Sequence, residues 1–231
     1  MKILALDGSA AAGSAAVCEE DKVIGEAFLH TAKTHSQTLL PMTQELLALS
    51  DTTLGELDFL AVTVGPGSFT GLRIAIAAIK GMAMGADKPC VGVSTLEALA
   101  YNLRGFEGVA AAVMDARCEQ VYTALFDLHG GEVIRRTADM AIPLAELSEM
   151  LKNEKETVFL VGDGAIMCYT KLSNEHPTLR LAPAPLRYGR ASAVAACAYA
   201  KFASEGAIPA EALLPSYLRL PQAERELLGR S

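Results

Sequence analysis

The sequence predicts an α/β protein of two related lobes, each a mixed sheet flanked by helices, facing one another across a cleft. One pattern occurs twice in the chain. "KILALDGSAAAGSAAVCEEDKVIGEAF", from Lys2, reads as an apolar strand ending on Asp7, a turn of small residues, a strand over 14–18, a charged turn and a strand over 22–28. "VAAAVMDARCEQVYTALFDLHGGEVIRRTA", from Val109, repeats that order: a strand ending on Asp115, a short turn, a strand over 120–126, a Gly-Gly hairpin turn and a strand over 132–137. Helix-prone segments follow each of these meanders, so mixed sheets with helical cover are expected in both halves. A chain of 231 residues suits one large domain or two small ones, and the lobes are placed at 1–105 and 106–231.

The remaining elements follow in order. Residues 35–49 put Leu39, Leu40, Leu46 and Leu47 on a recurring face and read as a helix. The apolar run Ala61-Val62-Thr63-Val64 is a strand, followed by a Gly-Pro-Gly turn and a helix that opens near Ser68 or Thr70 and runs to Gly85. Further strands are expected over 90–93 and 157–161, each before a helix, and further helices over 144–153, 164–172 and 191–205. "VGDGA", residues 161–165, mirrors the earlier strand, Gly-rich turn and helix. In a bilobal nucleotide-binding fold an adenosine rests at this place, and a bare turn explains the motif equally well.

The helix after the Gly-Pro-Gly turn carries Arg73 and Lys80 as the only charges from Leu72 to Ala86. Leu72, Ile74, Ile76, Ile79, Met82 and Met84 go around the helix instead of along one stripe, and a helix apolar on every side must be buried on every side. One face packs on its own sheet. Ile76, Lys80 and Ala83, with the helix of "HSQTLLPMTQELL" beside them, are expected to face a second chain. The docking set is therefore His35, Leu39, Met42, Leu46, Arg73, Ile76, Lys80 and Ala83.

Composition narrows the function. Twenty basic residues against 27 acidic ones give a net charge of −7, which argues against a large nucleic-acid surface of its own, because phosphate neutralisation dominates such binding. Asp7 interrupts the N-terminal apolar run, and no run reaches the ~18 apolar residues of a membrane span, so a cytoplasmic protein is expected. The five cysteines form no C-x-x-C pair and read as reduced, buried small side chains.

Strand, Gly-rich turn and helix N-terminus together make the shape of an anion site. The side chains that grip phosphate are missing: Gly71 is followed by Leu72 and Arg73, with no P-loop lysine, and the glycine spacing misses the dinucleotide fingerprint by one position. The four histidines offer no i, i+4 pair for a metal. Adjacent Ser36 and His35 point apart at a helix start and make no nucleophile and base.

"GPGSFTGLR" (65–73), "THSQTLLPM" (34–42), "GVSTLEALA" (92–100), "DAR" (115–117), "GDG" (162–164) and "LPSYLR" (214–219) together resemble the TsaB family, also called YeaZ, over nearly the whole chain. The resemblance implies the duplicated ribonuclease-H-like fold of the acetate kinase, sugar kinase, heat-shock chaperone and actin (ASKHA) superfamily. It implies a non-catalytic partner, without cofactor, of a TsaD-like enzyme that modifies the tRNA adenosine beside the anticodon with threonylcarbamoyl. A TsaE-like ATPase joins that complex, tRNA is touched only indirectly, and the chain forms a homodimer when alone. The superfamily's phosphate loops map to Asp7 and Asp115, so a nucleotide contact would use Asp7, Ser9, Asp115, Arg117, Gly162 and Gly164. The metal-binding H-x-x-x-H of the catalytic relative is matched by "VSTLEAL", where Thr95 and Leu99 take the two ligand places. Two other readings stand beside this one: a small-molecule kinase or ATPase of the same superfamily, and a metallopeptidase-like protein.

Overall fold

The computed structural model describes residues 1–219; residues 220–231, the end of the second lobe as drawn from the sequence, lie outside the described residues. The first sheet holds β1 (Lys2–Asp7), β2 (Gly13–Glu19), β3 (Lys22–Leu29), β4 (Phe59–Gly65) and β5 (Cys90–Ser94), in the order β3-β2-β1-β4-β5. β1, β2 and β3 pair antiparallel, while β4 and β5 join parallel to β1. The second sheet repeats this plan. β6 (Gly108–Asp115), β7 (Gln120–His129), β8 (Glu132–Arg135), β10 (Val158–Val161) and β11 (Leu179–Leu181) lie in the order β11-β10-β6-β7-β8, with β9 (Met140–Pro143) added beside β7. Strand for strand, β6 stands for β1, β7 for β2, β8 for β3, β10 for β4 and β11 for β5. The structural match of the strand at 158–161 is thus the one before the Gly-Pro-Gly turn, and the match of the strand at 90–94 is β11, which the sequence did not reveal.

The strand expected over 132–137 ends at Arg135 because the chain turns there: Thr137 Oγ1 accepts the N–H of Leu125 (3.0 Å). β9 then takes over the other half of β7, pairing residues 140–143 with 120–123.

Helices α1 (His35–Leu49) and α2 (Phe69–Ala86) cover one face of the first sheet. β1 alternates between two cores: Leu4 and Leu6 pack toward α1 and α2, Ile3 and Ala5 toward α6 (Ala191–Glu205). A strand buried on both faces needs a continuous apolar run, as "KILAL" is. On the second sheet, Val109, Ala111 and Val113 face α4 (Leu144–Leu151) and α5 (Ala165–Leu172). Ala110, Ala112 and Met114 face α3 (Thr95–Tyr101).

Two helices cross between the lobes. α3 follows β5 in the first sheet, yet Leu96, Leu99 and Ala100 pack on β6 and β7 of the second. α6 follows β11 of the second sheet, yet Ala191, Val194, Ala195 and Ala198 pack on β1, β2 and β4 of the first. Alanines on α6 let its axis approach the sheet closely. Glu97 on α3 and Arg135 on β8 form an ion pair of 2.9 Å, and Arg135 also holds Asp139 at 2.6 Å, so the crossing helix is fastened to the second sheet.

By length and mean hydropathy α2 could span a membrane, contrary to the expectation that no run suffices. Its Leu72, Ala75, Ile79 and Ala83 are fully buried against the first sheet and its surroundings, as in a core helix.

Candidate docking face and interlobe cleft

A cleft of about 550 Å³ opens between the ends of β1, β4 and β6. Its first-lobe wall is the turn after β1 and the start of α2. Gly71 of α2 lies so close to the β1 turn that an added Cβ would meet the Gly8 carbonyl oxygen at 2.2 Å. This contact requires glycine. The turn before α2 turns its donors inward: Ser68 N–H donates to Ser9 O (2.7 Å), and Ser68 Oγ caps the helix by accepting Gly71 N–H (3.3 Å). The Ser9 carbonyl and the Ser68 hydroxyl therefore take the two amides that a phosphate would have met.

Asp7 is 1% exposed. Its Oδ1 accepts Ser9 N–H (2.9 Å) and Thr63 Oγ1–H (2.8 Å), and Gly189 packs against its Oδ2 with no space for a side chain. Asp7 thus ties β1, β4 and the 189 loop together and does not line the cleft. Ser9, Asp115 and Arg117 do line it, while Gly162 and Gly164 pack behind β6, Gly162 close against Val113 O. Asp163 between them reaches the cleft, where Oδ1 accepts Asp115 N–H (3.3 Å). Asp163 is exposed to solvent at the cleft, yet the desolvation from protein packed around it, with the charge of Asp115, pushes its pKa up to about 6 against the pull of neighbouring backbone N–H groups. Sequence reading placed the glycines here and passed over the acid; an Asp flanked by two glycines after a strand was the signal.

On the far side of the first lobe, α1 and α2 lie side by side. Of the docking set, Leu39, Met42, Leu46, Ile76 and Ala83 are 0–9% exposed and belong to the lobe's own core. The helical period was right and the face was wrong: those side chains meet the sheet and the neighbouring helix. His35 Nε2 donates to Ala10 O (2.6 Å). Arg73 Nε donates to the Tyr217 hydroxyl (3.0 Å), and Lys80 Nζ to the carbonyls of Glu211 (3.0 Å) and Leu213 (3.2 Å). Both cations of α2 are engaged by the chain's own C-terminal segment. The side of α2 turned outward carries Thr70, Arg73, Ala77, Gly81, Met84 and Gly85, and α1 adds Leu40, Pro41, Gln44, Glu45, Ala48 and Leu49. Met84 is 58% and Leu49 78% exposed, and a Cβ placed on Gly81 or Gly85 would meet nothing within 4 Å. The result is a low strip of small residues, Ala77, Gly81 and Gly85, with Leu40, Leu49 and Met84 exposed around it and Arg73, Gln44 and Glu45 on its flanks.

The family model described as TsaD, tRNA N6-adenosine threonylcarbamoyltransferase, matches residues 26–226. The tRNA threonylcarbamoyladenosine biosynthesis protein TsaB of Bacillus subtilis (strain 168) is 33% identical over 225 residues, which is 97% of this chain and 96% of that protein. This chain belongs to the TsaB family. The structure of YeaZ from Pseudomonas aeruginosa superposes with a TM-score of 0.76 at 29% identity, covering 94% of this chain and 99% of that one. The (R)-2-hydroxyglutaryl-CoA dehydratase component A of Acidaminococcus fermentans, at 11% identity and a TM-score of 0.53, covers 88% of this chain and all of its own. That likeness is one of fold, and the repeated strand order of the two sheets agrees with the duplicated plan the resemblance implied.

In this TsaB-family chain α3 carries the stretch "VSTLEAL" that the sequence set against the metal-binding H-x-x-x-H of the catalytic relative. Thr95 and Leu99 are 1% and 3% exposed, and Leu99 is packed into the second lobe's core. Glu97, between them, is turned to Arg135 and lies beside the Cys197 thiol, whose pKa is pushed up by burial and by that carboxylate. Four cysteines are buried as expected, whereas Cys118 is exposed in the turn after β6.

Proposed function

We propose that the chain is the non-catalytic partner of a TsaD-like enzyme in the synthesis of threonylcarbamoyladenosine in tRNA, beside the anticodon. It docks by the outward face of α1 and α2. The observation that carries the proposal is that face: Ala77, Gly81 and Gly85 recur along one side of an 18-residue helix, with Leu40, Leu49 and Met84 exposed around them. Small residues let a second helix pair approach closely, and apolar residues left in water stand to gain from being covered. The same surface serves a homodimer when the chain is alone, so the two assemblies compete. A TsaE-like ATPase acts on the complex, and tRNA meets this subunit only indirectly, consistent with the charge of −7.

A catalytic role finds less support. The Ser68 N–H after the Gly-Pro-Gly turn is taken by Ser9 O and Asp7 is sealed, which leaves the first phosphate loop of a kinase without its machinery. A weak nucleotide contact would fall to Asp115, Arg117 and Asp163 at the open end of the cleft. Reconstitution tests the proposal: this chain alone is expected to hydrolyse ATP at background rate and to form no modified adenosine, while the TsaD-like partner needs it for activity. Full activity of the partner without this chain refutes the role.

A further inference from the structure

We propose that residues 214–219 form a latch that joins the two lobes across the mouth of the cleft and holds the strained turn after β6 in place. The proposal does not depend on which partner binds the helical face.

Up to Leu213 the C-terminal segment is part of the first lobe: Ala210 and Leu213 are buried, and Ile208 and Cys90 exchange backbone hydrogen bonds of 2.9 and 2.8 Å. Beyond it the chain is exposed at Leu214, Tyr217 and Leu218 and is held by a few discrete contacts. At the first lobe, Ser216 N–H donates to Val64 O (2.7 Å). A Cβ on Gly65, where φ is +132°, would meet Ser216 O at 2.2 Å, so the strap lies directly on the end of β4. The Tyr217 ring stacks on Phe69 at 4.7 Å and 27°, and the Arg73 guanidinium sits 3.7 Å over the Phe69 ring while Nε donates to the Tyr217 hydroxyl. Two residues on, the strap reaches the second lobe, where Arg219 Nη1 donates to Ala116 O (3.1 Å).

Ala116 opens a turn in which three successive non-glycine residues, Arg117, Cys118 and Glu119, have φ of 63°, 51° and 56°. Left-handed backbone is unfavourable for such residues, and a run of three persists only where outside contacts hold it. The turn is held by Asp115 Oδ1 accepting Arg117 N–H (2.7 Å), the Ala116 N–H to Gln120 O bond (3.0 Å), the Gln120 N–H to Arg117 O bond (3.1 Å), Leu144 N–H donating to Glu119 O (3.0 Å), Lys171 Nζ donating to Glu119 Oε1 (2.6 Å), and Arg219 on Ala116 O. Arg219 alone among these comes from the strap. The latch therefore couples the N-terminus of α2 to the conformation of a turn that places Arg117 in the cleft.

Amide hydrogen exchange in the full chain tests this, with Ser216 reporting the first hook and Ala116 and Gln120 the second. Tyr217→Ala is expected to speed exchange at all three by about tenfold, the effect of losing an aromatic pair and its hydrogen bond. Arg219→Ala is expected to speed Ala116 and Gln120 while leaving Ser216 protected, and Leu214→Ala to change none of them. Thermal melts of each variant establish that the core is intact. If Tyr217→Ala frees Ser216 but leaves Ala116 and Gln120 unchanged, the lobes are not coupled through the strap and the proposal fails. It fails equally if Arg219→Ala leaves the turn as protected as before.

Discussion

Gly81→Glu separates docking from folding. Gly81 is exposed in the middle of α2, one turn from Ala77 and one from Gly85, and a side chain there would meet nothing within 4 Å. Glycine in a helix interior lies about 1 kcal/mol above alanine and glutamate lies close to alanine, so the substitution should stabilise the monomer by roughly 0.5 kcal/mol or leave it unchanged. In the complex the same carboxylate would be trapped between close-packed helices without a partner, a loss of several kcal/mol. Taking about 3 kcal/mol, the affinity falls by more than a hundredfold. Calorimetric titration against the TsaD-like enzyme, with sedimentation of the chain alone, reads both assemblies. Ala145→Glu, equally exposed on α4 of the second lobe, is the control and should bind normally. A Gly81→Glu protein with a native melting temperature and unchanged Kd would refute docking through this face.

Ile76→Glu makes the opposite case, since Ile76 is 5% exposed within the first lobe's core: it should destabilise the chain by several kcal/mol in a denaturant titration, whether or not a partner is present. A fully stable Ile76→Glu protein would show that this side of α2 is not core. Asp163, with its pKa pushed up to about 6, should titrate well above an ordinary aspartate when its carboxyl carbon is followed by NMR, and Asp115→Asn should lower that value by removing a neighbouring charge. Because the folded pKa is raised, the native state binds the extra proton between about pH 4 and 6; the contribution to stability is full below that window, is lost as pH rises through it, and is absent above it. Titration of Asp163 near 4 would show that its carboxyl is hydrated.

The repeat of meanders in the sequence settled the duplicated α/β plan, because strands buried on both faces must be written as continuous apolar runs and turns as Gly-rich or charged breaks. "KILALD" and "VAAAVMD" are legible for that reason, and each delivers its acid to the same place in its lobe. β9 and β11 were not legible: at four and three residues they depend on a neighbour already in place, β7 and β10, and hold no period of their own. The sequence also determined that α2 is apolar all round and that its N-terminus follows a tight turn. Which side of α2 meets the sheet, and that Arg73 and Lys80 serve the C-terminal segment, was decided only by contacts 131 to 144 residues apart in the chain. The two acids that end the opening strands look alike in the sequence, but Asp7 is sealed by Thr63 and Gly189 while Asp115 stands open beside Asp163. Local sequence carries periodicity and turn chemistry. Burial and pairing arise between segments that only the folded chain brings together, and the function of a face or a carboxylate depends on them.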